Sequence, residues 1–372
     1  MKPEITFPVE YNAIIERMQS IKPSEYAATR NFVNGNVSYL SPYISRGVIS
    51  TKQVMEYVLQ QDLKPYLVSK FLQELAWRDY FQRIYQNLGD KLLTDIAFEQ
   101  KEVKHRQLPT SIYKATTGIA AIDERIREFY ETGYLHNHLR MYTASITCNI
   151  AKAYWLQPSQ WLYYHLLDGD IASNICSWQW VAGTFSQKKY YCNQENINRY
   201  TFSEQRDTFL DHPYAVLTKM DIPAVLNETT TPEFETKLPI TLLPSIDTSK
   251  PTLVYNSYNL DPFWRKDEDV NRVLLLEPSH FKKFPVSDKV IEFITSLSKN
   301  IKNIQVYTGE LKDMEKFYQN DETSAVFISK EHPAFTHYTG TKDERDWMFP
   351  EITGYYKSFS QFYKKAFKPV KK

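Results

Sequence analysis

The chain has 372 residues and 43.9 kDa, 42% hydrophobic and 24% charged, which predicts a soluble protein of two or three domains. Its 45 Lys and Arg residues balance 44 Asp and Glu residues, so the net charge of +1 excludes a uniformly basic nucleic-acid-binding protein but not a local basic groove. Three cysteines cannot form a disulfide framework and are typical of a reducing compartment. The sequence contains neither an apolar signal core near its first residues nor an apolar run of about 18 residues, so we expect no signal peptide and no membrane contact.

Glycine is scarce and widely spaced. Only 10 glycines occur, and no two lie within ten residues of each other. The GxGxxG fingerprint, the Walker A loop and the GxSxG elbow all need closely spaced glycines. Because no such closely spaced glycines occur, the sequence excludes an ordinary glycine-rich dinucleotide fold, a P-loop NTPase and an α/β-hydrolase.

Residues 8 to about 200 carry apolar side chains at helical spacing. Ser50 forms a predicted capping box with Gln53, which marks the beginning of a helix. Apolar stripes predict further helices over residues 66–87, 119–131, 135–155 and 160–167.

The pattern changes after residue 204. Residues 205–250 are rich in Thr and Pro and are predicted to be a linker. Beyond them, short β-type runs alternate with helical runs, which is typical of a parallel α/β sheet. The predicted strands are residues 252–256, 273–277, 304–308 and 325–329, and the predicted helices are residues 288–299, 311–318 and 351–367. We therefore predict a mainly α protein with a helical domain over residues 1–204 and a smaller α/β domain over residues 251–372.

Two segments carry side chains that suit a bound ligand. In FLQELAWRD, Glu74, Trp77 and Arg78 lie on one helix face, where they either bind a planar phosphate-bearing ligand or form a surface Glu74–Arg78 ion pair beside a core tryptophan. In DGDIASNICSWQW, Asp168 and Asp170 flank one glycine; they either take part in a site, with Arg140 neutralising one acid, or merely cap a helix.

No metal site is predicted. Cys148, Cys176 and Cys192 have no CxxC spacing, and His136 and His138 are two residues apart on a predicted helix, which places them on different sides. The acidic segment also lacks the spacing of a calcium loop.

Four segments resemble the helical FAD-binding domain of the photolyase/cryptochrome family, in the family's order. They are NVSYLSPYISRGVIS (36–50), FLQELAWRDYF (71–81), TGIAAIDERIREFYETGYLHNHLRMYTAS (117–145) and DGDIASNICSWQWVAGT (168–184). The resemblance implies a helical pocket for FAD, which needs no glycine fingerprint.

The resemblance also assigns residues to the cofactor. The residues expected to hold FAD are Tyr26, Ser38, Leu40, Arg140, Asp168, Asp170 and Asn174. Asn174 is expected against the flavin N5 atom, where asparagine is photolyase-like. Trp178 and Trp155 are expected to be the inner two members of the family's tryptophan electron chain. The outermost tryptophan of that chain is missing; either Tyr113 or another tyrosine substitutes for it, or the electron chain ends at Trp155.

A pyrimidine dimer in DNA is the second ligand that the resemblance implies. The residues expected to contact a flipped-out pyrimidine dimer are Glu74, Trp77, Arg78, Asn137, Met141 and Trp180, with Lys188, Lys189 and Arg199 as candidate phosphate contacts. The family's (6-4) enzymes carry two histidines where this chain has Asn137 and Met141, which favours cyclobutane dimers.

The resemblance therefore implies a cytoplasmic, monomeric photolyase that repairs cyclobutane pyrimidine dimers in DNA under blue light, with electron transfer from reduced FAD catalysing the cleavage. The alternative is a cryptochrome-like photoreceptor that binds FAD without repair activity. Too few cysteines are present for the family's iron–sulfur cluster. The α/β segment, with residues 253–264, 272–281 and 303–311 resembling the family's first three strands, implies an antenna-like domain moved behind the helical domain. We expect no antenna chromophore in it.

Overall fold

The computed structural model describes residues 5–318 and 325–367. Its first two hundred residues form a helical region that contains most of the chain's helices. These helices are α1 (Tyr11–Gln19), α2 (Pro23–Thr29), α3 (Ser41–Ser45), α4 (Thr51–Gln60), α5 (Pro65–Leu88), α6 (Thr110–Tyr113), α7 (Ala120–Thr132), α8 (Asn137–Ser145), α9 (Leu156–His165), α10 (Ile171–Ala182) and α11 (Gln194–Thr201). The predicted capping box is present, since the Ser50 hydroxyl accepts from Gln53 N and the Gln53 side chain accepts from Ser50 N.

A parallel sheet follows in the second part of the chain. Its strands are β3 (Thr252–Tyr255), β4 (Asn271–Leu276), β5 (Ile304–Thr308), β6 (Phe327–Lys330) and β7 (Thr341–Asp343), and a separate pair is formed by β1 (Leu108–Pro109) and β2 (Thr229–Thr230). The sheet order is β5-β4-β3-β6-β7, with all neighbours parallel. Helices α13 (Pro278–Lys283), α14 (Asp288–Ser298) and α15 (Leu311–Tyr318) connect its strands, which confirms a mainly α chain with a smaller α/β part.

Two predicted helices are wrong in their extent. The helix predicted over residues 135–155 begins only at Asn137, with His136 as its N-cap, and ends after a π-helical turn at Ile150. Lys152 follows with a φ of 59°, a left-handed conformation that no α-helix continues. The helix predicted over residues 351–367 is shorter, because α16 spans only Phe359–Ala366 and is capped by Ser358.

The segment predicted as a linker, residues 205–250, has little regular structure but lies against both regions. It contains the short helix α12 (Tyr214–Leu217) and strand β2, which pairs with β1 of the helical region. Further along, the Gln305 side chain on β5 bonds both the N–H and the carbonyl of Ser245. These contacts fix the segment along the edge of the sheet.

The helical region and the sheet region share a polar, buried contact. The Leu260 N–H donates to the Arg46 carbonyl at 2.9 Å across the contact, and the Arg46 guanidinium donates to the Leu167 carbonyl at 3.0 Å within the helical region. The Tyr163 and Tyr258 hydroxyls lie 2.5 Å apart across the same contact. Because these buried groups satisfy one another, the two regions have a defined relative position.

Helix α16 returns the chain to the helical region. Phe362 is 1% exposed and packs near Tyr80 of α5, with ring centroids 5.6 Å apart. The ring of Phe359 stacks on Trp77, also of α5, at 3.7 Å with an interplanar angle of 10°. The last described helix therefore packs on the helical region, which the first two hundred residues of the chain form.

In the described residues, no helix is long and apolar enough to cross a membrane.

Replacing Phe362 with alanine is expected to lower the free energy of unfolding by about 3–5 kcal/mol, because it removes a buried ring and leaves a cavity against α5. Ser360→Ala on the exposed side of the same helix is the matched control, with a change within about 0.5 kcal/mol. Urea unfolding followed by circular dichroism measures both. Equal midpoints for the two variants would show that α16 does not contribute to the folded core.

Candidate functional site

A cavity of about 680 Å³ opens between helices α5, α8 and α10 of the helical region. Its volume lies in the range of small-molecule and cofactor sites. Gly133 ends α7 with a φ of 70°, and a Cβ there would lie 2.7 Å from Leu167 Cγ, so glycine lets the chain turn tightly towards α8. That turn brings the start of α8 to the cavity wall.

Most residues predicted for the site line this one cavity. They are Tyr26, Ser38, Glu74, Trp77, Arg78, Asn137, Arg140, Met141, Asp168, Asp170, Asn174, Trp178 and Trp180. Trp155 is fully buried and does not line the cavity. The structure does not place Leu40 at the cavity: its side chain is 1% exposed within the hydrophobic core, and its neighbours Val37 and Ser41 line the wall instead.

An ion pair crosses the cavity wall between α8 and the loop before α10. Arg140 Nη2 donates to both carboxylate oxygens of Asp168, at 3.0 and 2.9 Å. The Arg140 Nε atom also donates to the Leu135 carbonyl at 2.7 Å, which fixes the direction of the guanidinium. The sequence expectation that Arg140 neutralises one of the two acids is therefore confirmed.

Asp170 is held by three donors although it is only 2% exposed. Its carboxylate caps α10 by accepting from Ser173 N at 2.7 Å, and it accepts from Gln82 Nε2 at 2.6 Å and Arg78 Nη1 at 3.1 Å. The capping and site interpretations thus both apply to this residue. Arg78 pairs with Asp170 and not with Glu74, so the surface ion pair considered from the sequence is wrong.

Two residues of this network were missed from the sequence. Gln82 lies one turn after Arg78 on α5, and that helical spacing was a usable signal. Arg345 donates to Gln82 Oε1 at 2.5 Å and pairs with Glu331 at 2.8 Å. No sequence signal connects Arg345 to Gln82, because the two residues are 263 positions apart.

The outer part of the cavity carries aromatic and charged side chains. Trp180 is 37% exposed and lies beside Tyr190, with ring centroids 5.6 Å apart. Glu74 pairs with Lys70 at 2.7 Å. One face of the Trp77 indole is stacked on Phe359. Indoles and a carboxylate thus share the wall of a single cavity.

Two polar side chains of α10 can form hydrogen bonds with a ligand. The Ser173 hydroxyl oxygen is buried and has no hydrogen-bond partner among the described residues, although Ser173 lines the cavity. Asn174 Nδ2 donates to the Ser159 carbonyl at 2.9 Å, which orients the amide. Buried polar atoms without partners are costly, so a polar ligand at this wall would be favourable.

A tyrosine lies next to Trp155. The indole N–H of Trp155 and the hydroxyl of Tyr154 donate to the same oxygen of Asp95, at 2.7 and 2.9 Å. The rings of Trp155 and Tyr154 lie 5.5 Å apart. Tyr113, the substitute named from the sequence, contacts Tyr130 instead.

The described residues contain no group of three or more His, Cys, Asp or Glu side chains arranged to hold a metal ion. Cys148, Cys176 and Cys192 are free and buried. Burial raises the pKa of the Cys176 thiol and lowers the pKa values of His136 and His138, each to about 4. These histidines are therefore neutral at pH 7.

Comparisons with known proteins match the region that builds this cavity. A family model described as the FAD binding domain of DNA photolyase matches residues 71–214. Over these residues, the chain is similar to the FAD-binding domain of the photolyase/cryptochrome family. The matched residues include most of the cavity wall, from α5 to the end of α10. The family's cofactor domain and the cavity therefore coincide.

The curated relatives of the family share only part of their length with this chain. The deoxyribodipyrimidine photo-lyase of Alkalihalophilus pseudofirmus is 33% identical over 175 residues, which are 45% of this chain and 36% of that protein. The Escherichia coli photo-lyase is 31% identical over 191 residues, 48% of this chain and 40% of that protein. A solved cryptochrome from Synechocystis sp. has a TM-score of 0.46 at 23% identity, over 53% of this chain and 44% of that one, which is too low to support a conclusion.

Replacing Asp168 with asparagine is expected to weaken flavin binding by about tenfold to a hundredfold, since a charge-assisted hydrogen bond contributes roughly 1.5–3 kcal/mol. Asp247→Asn in the exposed segment before β3 is the matched control. The ratio of flavin to protein absorbance after dialysis measures the effect. Equal retention in both variants would show that the Arg140–Asp168 pair does not support the ligand.

Stability is expected to fall as the pH drops from about 6.5 towards 4. Burial keeps the folded-state pKa of His136 at about 4, below its ordinary value of 6.5, so the unfolded chain binds the proton more tightly in this window. The lowering corresponds to roughly 3 kcal/mol, which is fully present above pH 6.5. His136→Asn keeps a capping oxygen and should make the pH profile of urea unfolding less steep, with His138 and the other buried histidines accounting for the remaining slope, whereas exposed His212→Asn should leave the profile unchanged. Unchanged profiles in both variants would contradict this.

Proposed function

We propose that the chain binds FAD and repairs cyclobutane pyrimidine dimers in DNA under blue light, as a deoxyribodipyrimidine photo-lyase. The observation that carries this proposal is the single cavity that Glu74, Trp77 and Trp180 share with the Arg140–Asp168 pair. One cavity thus offers a polar wall for a cofactor and an aromatic rim for a base. The photo-lyase relatives named above support the same reaction.

The residues present fit a flavin nucleotide. The cavity volume, the fixed Arg140 guanidinium and the unpartnered Ser173 hydroxyl suit a large polar ligand. When bound and reduced, FAD supplies the light absorption and the electron. The chain orients the cofactor through Asp168 and Asp170 and places the Asn174 amide beside it, which we propose tunes the flavin.

The rim residues suit a flipped-out pair of pyrimidines. Trp180 and Trp77 present indole rings, and base–aromatic stacking contributes about 1–3 kcal/mol per base. The Glu74 carboxylate accepts hydrogen bonds from base N–H groups, with Lys70 holding it in place. Extruding the lesion costs less than extruding an intact base, because a damaged step is poorly stacked.

We propose that electrons reach the cofactor through Trp178 and Trp155. Trp178 lines the cavity, and Trp155 is fully buried with its N–H on Asp95. Tyr154 contacts the Trp155 ring and shares the same Asp95 oxygen. Tyr154 therefore replaces Tyr113 as the candidate terminal donor.

We propose that no antenna chromophore binds the α/β region, which we interpret as the antenna-like domain in a rearranged order. The crevice at the carboxyl ends of β3 and β6 holds only about 90 Å³, much less than the cavity of the helical region. The sheet order, which changes direction beside β3, supports the antenna-like interpretation. The absence of an iron–sulfur cluster stays a prediction.

We propose a monomer that acts in the cytoplasm. Three free, buried cysteines support a reducing compartment. The monomeric state stays a prediction.

Light-dependent removal of a thymine dimer tests the proposal. Protein reduced in the dark is mixed with an oligonucleotide that contains one thymine cyclobutane dimer, and dimer loss is counted under blue light and in darkness. The combined Glu74→Ala and Trp77→Ala variant is expected to bind the lesion about tenfold to a hundredfold more weakly and to repair it correspondingly slowly at low substrate. Tyr66→Ala, on the same helix at a residue that is 69% exposed, is the matched control. Unchanged repair in the combined variant would contradict the assignment.

A blue-light photoreceptor without repair activity is the second candidate. The observation that favours it is the stack of Phe359 on Trp77, which covers one face of an indole assigned to the lesion. Flavin retention and light-driven flavin reduction without dimer loss would support this candidate and reject repair.

A further inference from the structure

We infer that α16 is part of a DNA-binding surface, where Lys364 and Lys365 contact backbone phosphates beside the cavity. The partner is duplex DNA around the flipped bases, so the inference rests on the proposed function. It extends that function to the part of the chain that follows the sheet in sequence, which the family match does not cover.

Positive charge is concentrated at this helix. Lys364 and Lys365 occupy the last turn of α16 and are exposed, and no described carboxylate lies within ion-pair distance of either one. The Lys365 ammonium lies 5.0 Å from the centroid of the Tyr356 ring, a contact that leaves its charge in place. Two adjacent exposed lysines, in a chain whose net charge is only +1, form the kind of local basic patch expected of a surface that meets phosphates.

The helix is attached to the cavity wall itself. Phe359, in its first turn, stacks on Trp77 at 3.7 Å, and Trp77 lines the cavity. An eight-residue helix is about 12 Å long. The lysines in its last turn are therefore within about one helix length of the wall that would hold the lesion.

A second loop joins the same surface. Phe185 contacts Tyr80 and Phe81 on α5, each with centroids 6.2 Å apart, and Phe359 contacts the same Tyr80 ring at 5.7 Å. Phe185 precedes the exposed Lys188 by three residues. The loop and α16 thus both pack on α5, and each carries exposed lysines.

Other cations near the cavity are already neutralised. Lys189 pairs with Glu102 at 2.6 Å, and Lys70 pairs with Glu74 at 2.7 Å. Their charges are less available for phosphate than those of α16. The helix therefore supplies lysines that can release counterions when DNA binds.

Salt-dependent DNA binding tests the inference. The Lys364→Gln, Lys365→Gln variant of the full chain, loaded with flavin, is titrated with a damaged duplex and an undamaged duplex between 0.05 and 0.2 M salt. The exposed pair on α15, changed as Lys312→Gln with Lys316→Gln, is the matched control. Lys364→Arg with Lys365→Arg keeps the charge and serves as the rescue variant.

The expected result is a loss of about two from the slope of log K against log salt, since each duplex phosphate contact contributes about 0.9. If the variant and the unchanged protein bind DNA equally at 1 M salt, that slope change weakens the variant's binding on the order of 50-fold at about 0.1 M salt. Damaged and undamaged duplexes should lose affinity equally, because phosphate contacts read no sequence or lesion. The arginine variant and the α15 control should keep the original slope.

An unchanged slope in the glutamine variant, with flavin content and circular dichroism also unchanged, would overturn the inference and leave α16 a solvated face. Lysines in a last turn also favour the helix dipole, and circular dichroism and the arginine variant separate that structural role from DNA contact. The slope is measured without light. If the glutamine variant lowers the salt slope of DNA binding but the protein repairs no dimers, the inference stands and the repair function is rejected. If the protein repairs dimers but the glutamine variant leaves the slope unchanged, the repair function stands and the inference is rejected.

Discussion

The site depends on the compensation of one buried carboxylate, Asp170. A charge removed from water is costly unless it is paired and hydrogen-bonded. Asp170 meets that condition with three donors, the Ser173 N–H, the Gln82 amide and the Arg78 guanidinium. Because these donors stand on α10 and α5, the carboxylate fixes the distance between two walls of the cavity.

Helix α5 consequently contacts two different parts of the molecule, one on each of two sides. One side supplies Glu74, Trp77 and Arg78 to the cavity. The other packs against residues from the far end of the chain, where Asp79 accepts from Met348 N at 2.8 Å. Burial raises the pKa of Asp79, and hydrogen bonds from Thr51 and from that N–H oppose the effect. The sheet region and α16 thus act on the cavity through α5, without lining its polar wall.

Local signals predicted much of this arrangement. The Ser50 capping box, the face of α5 with Glu74 and Arg78 and the helix that begins after Asp170 all follow from spacings within a few residues. The beginning of α16 was misplaced because Tyr355 precedes Phe359 and Phe362 at helical spacing, while Gly354 has a φ of 86° that ends any helix there.

Long-range contacts were beyond the sequence. Leu40 was assigned to the cofactor by position within a motif, but its side chain fills the core. Tyr154 was not distinguished from Tyr113, because only the fold shows which tyrosine meets Trp155. The stack of Phe359 on Trp77 joins residues from two regions that no periodicity connects.

The contact between Arg345 and Gln82 has a consequence for synthesis on the ribosome. Gln82 precedes Arg345 by 263 residues. At about 5–20 residues per second, the ribosome makes the arginine roughly 10–50 s after the glutamine. Once Tyr190 has been made, the nascent helical region has its cavity residues but still lacks the guanidinium that holds Gln82 against Asp170. The cavity wall is therefore completed only after the helical region has been synthesised. A flavin that binds before then meets a site without this contact.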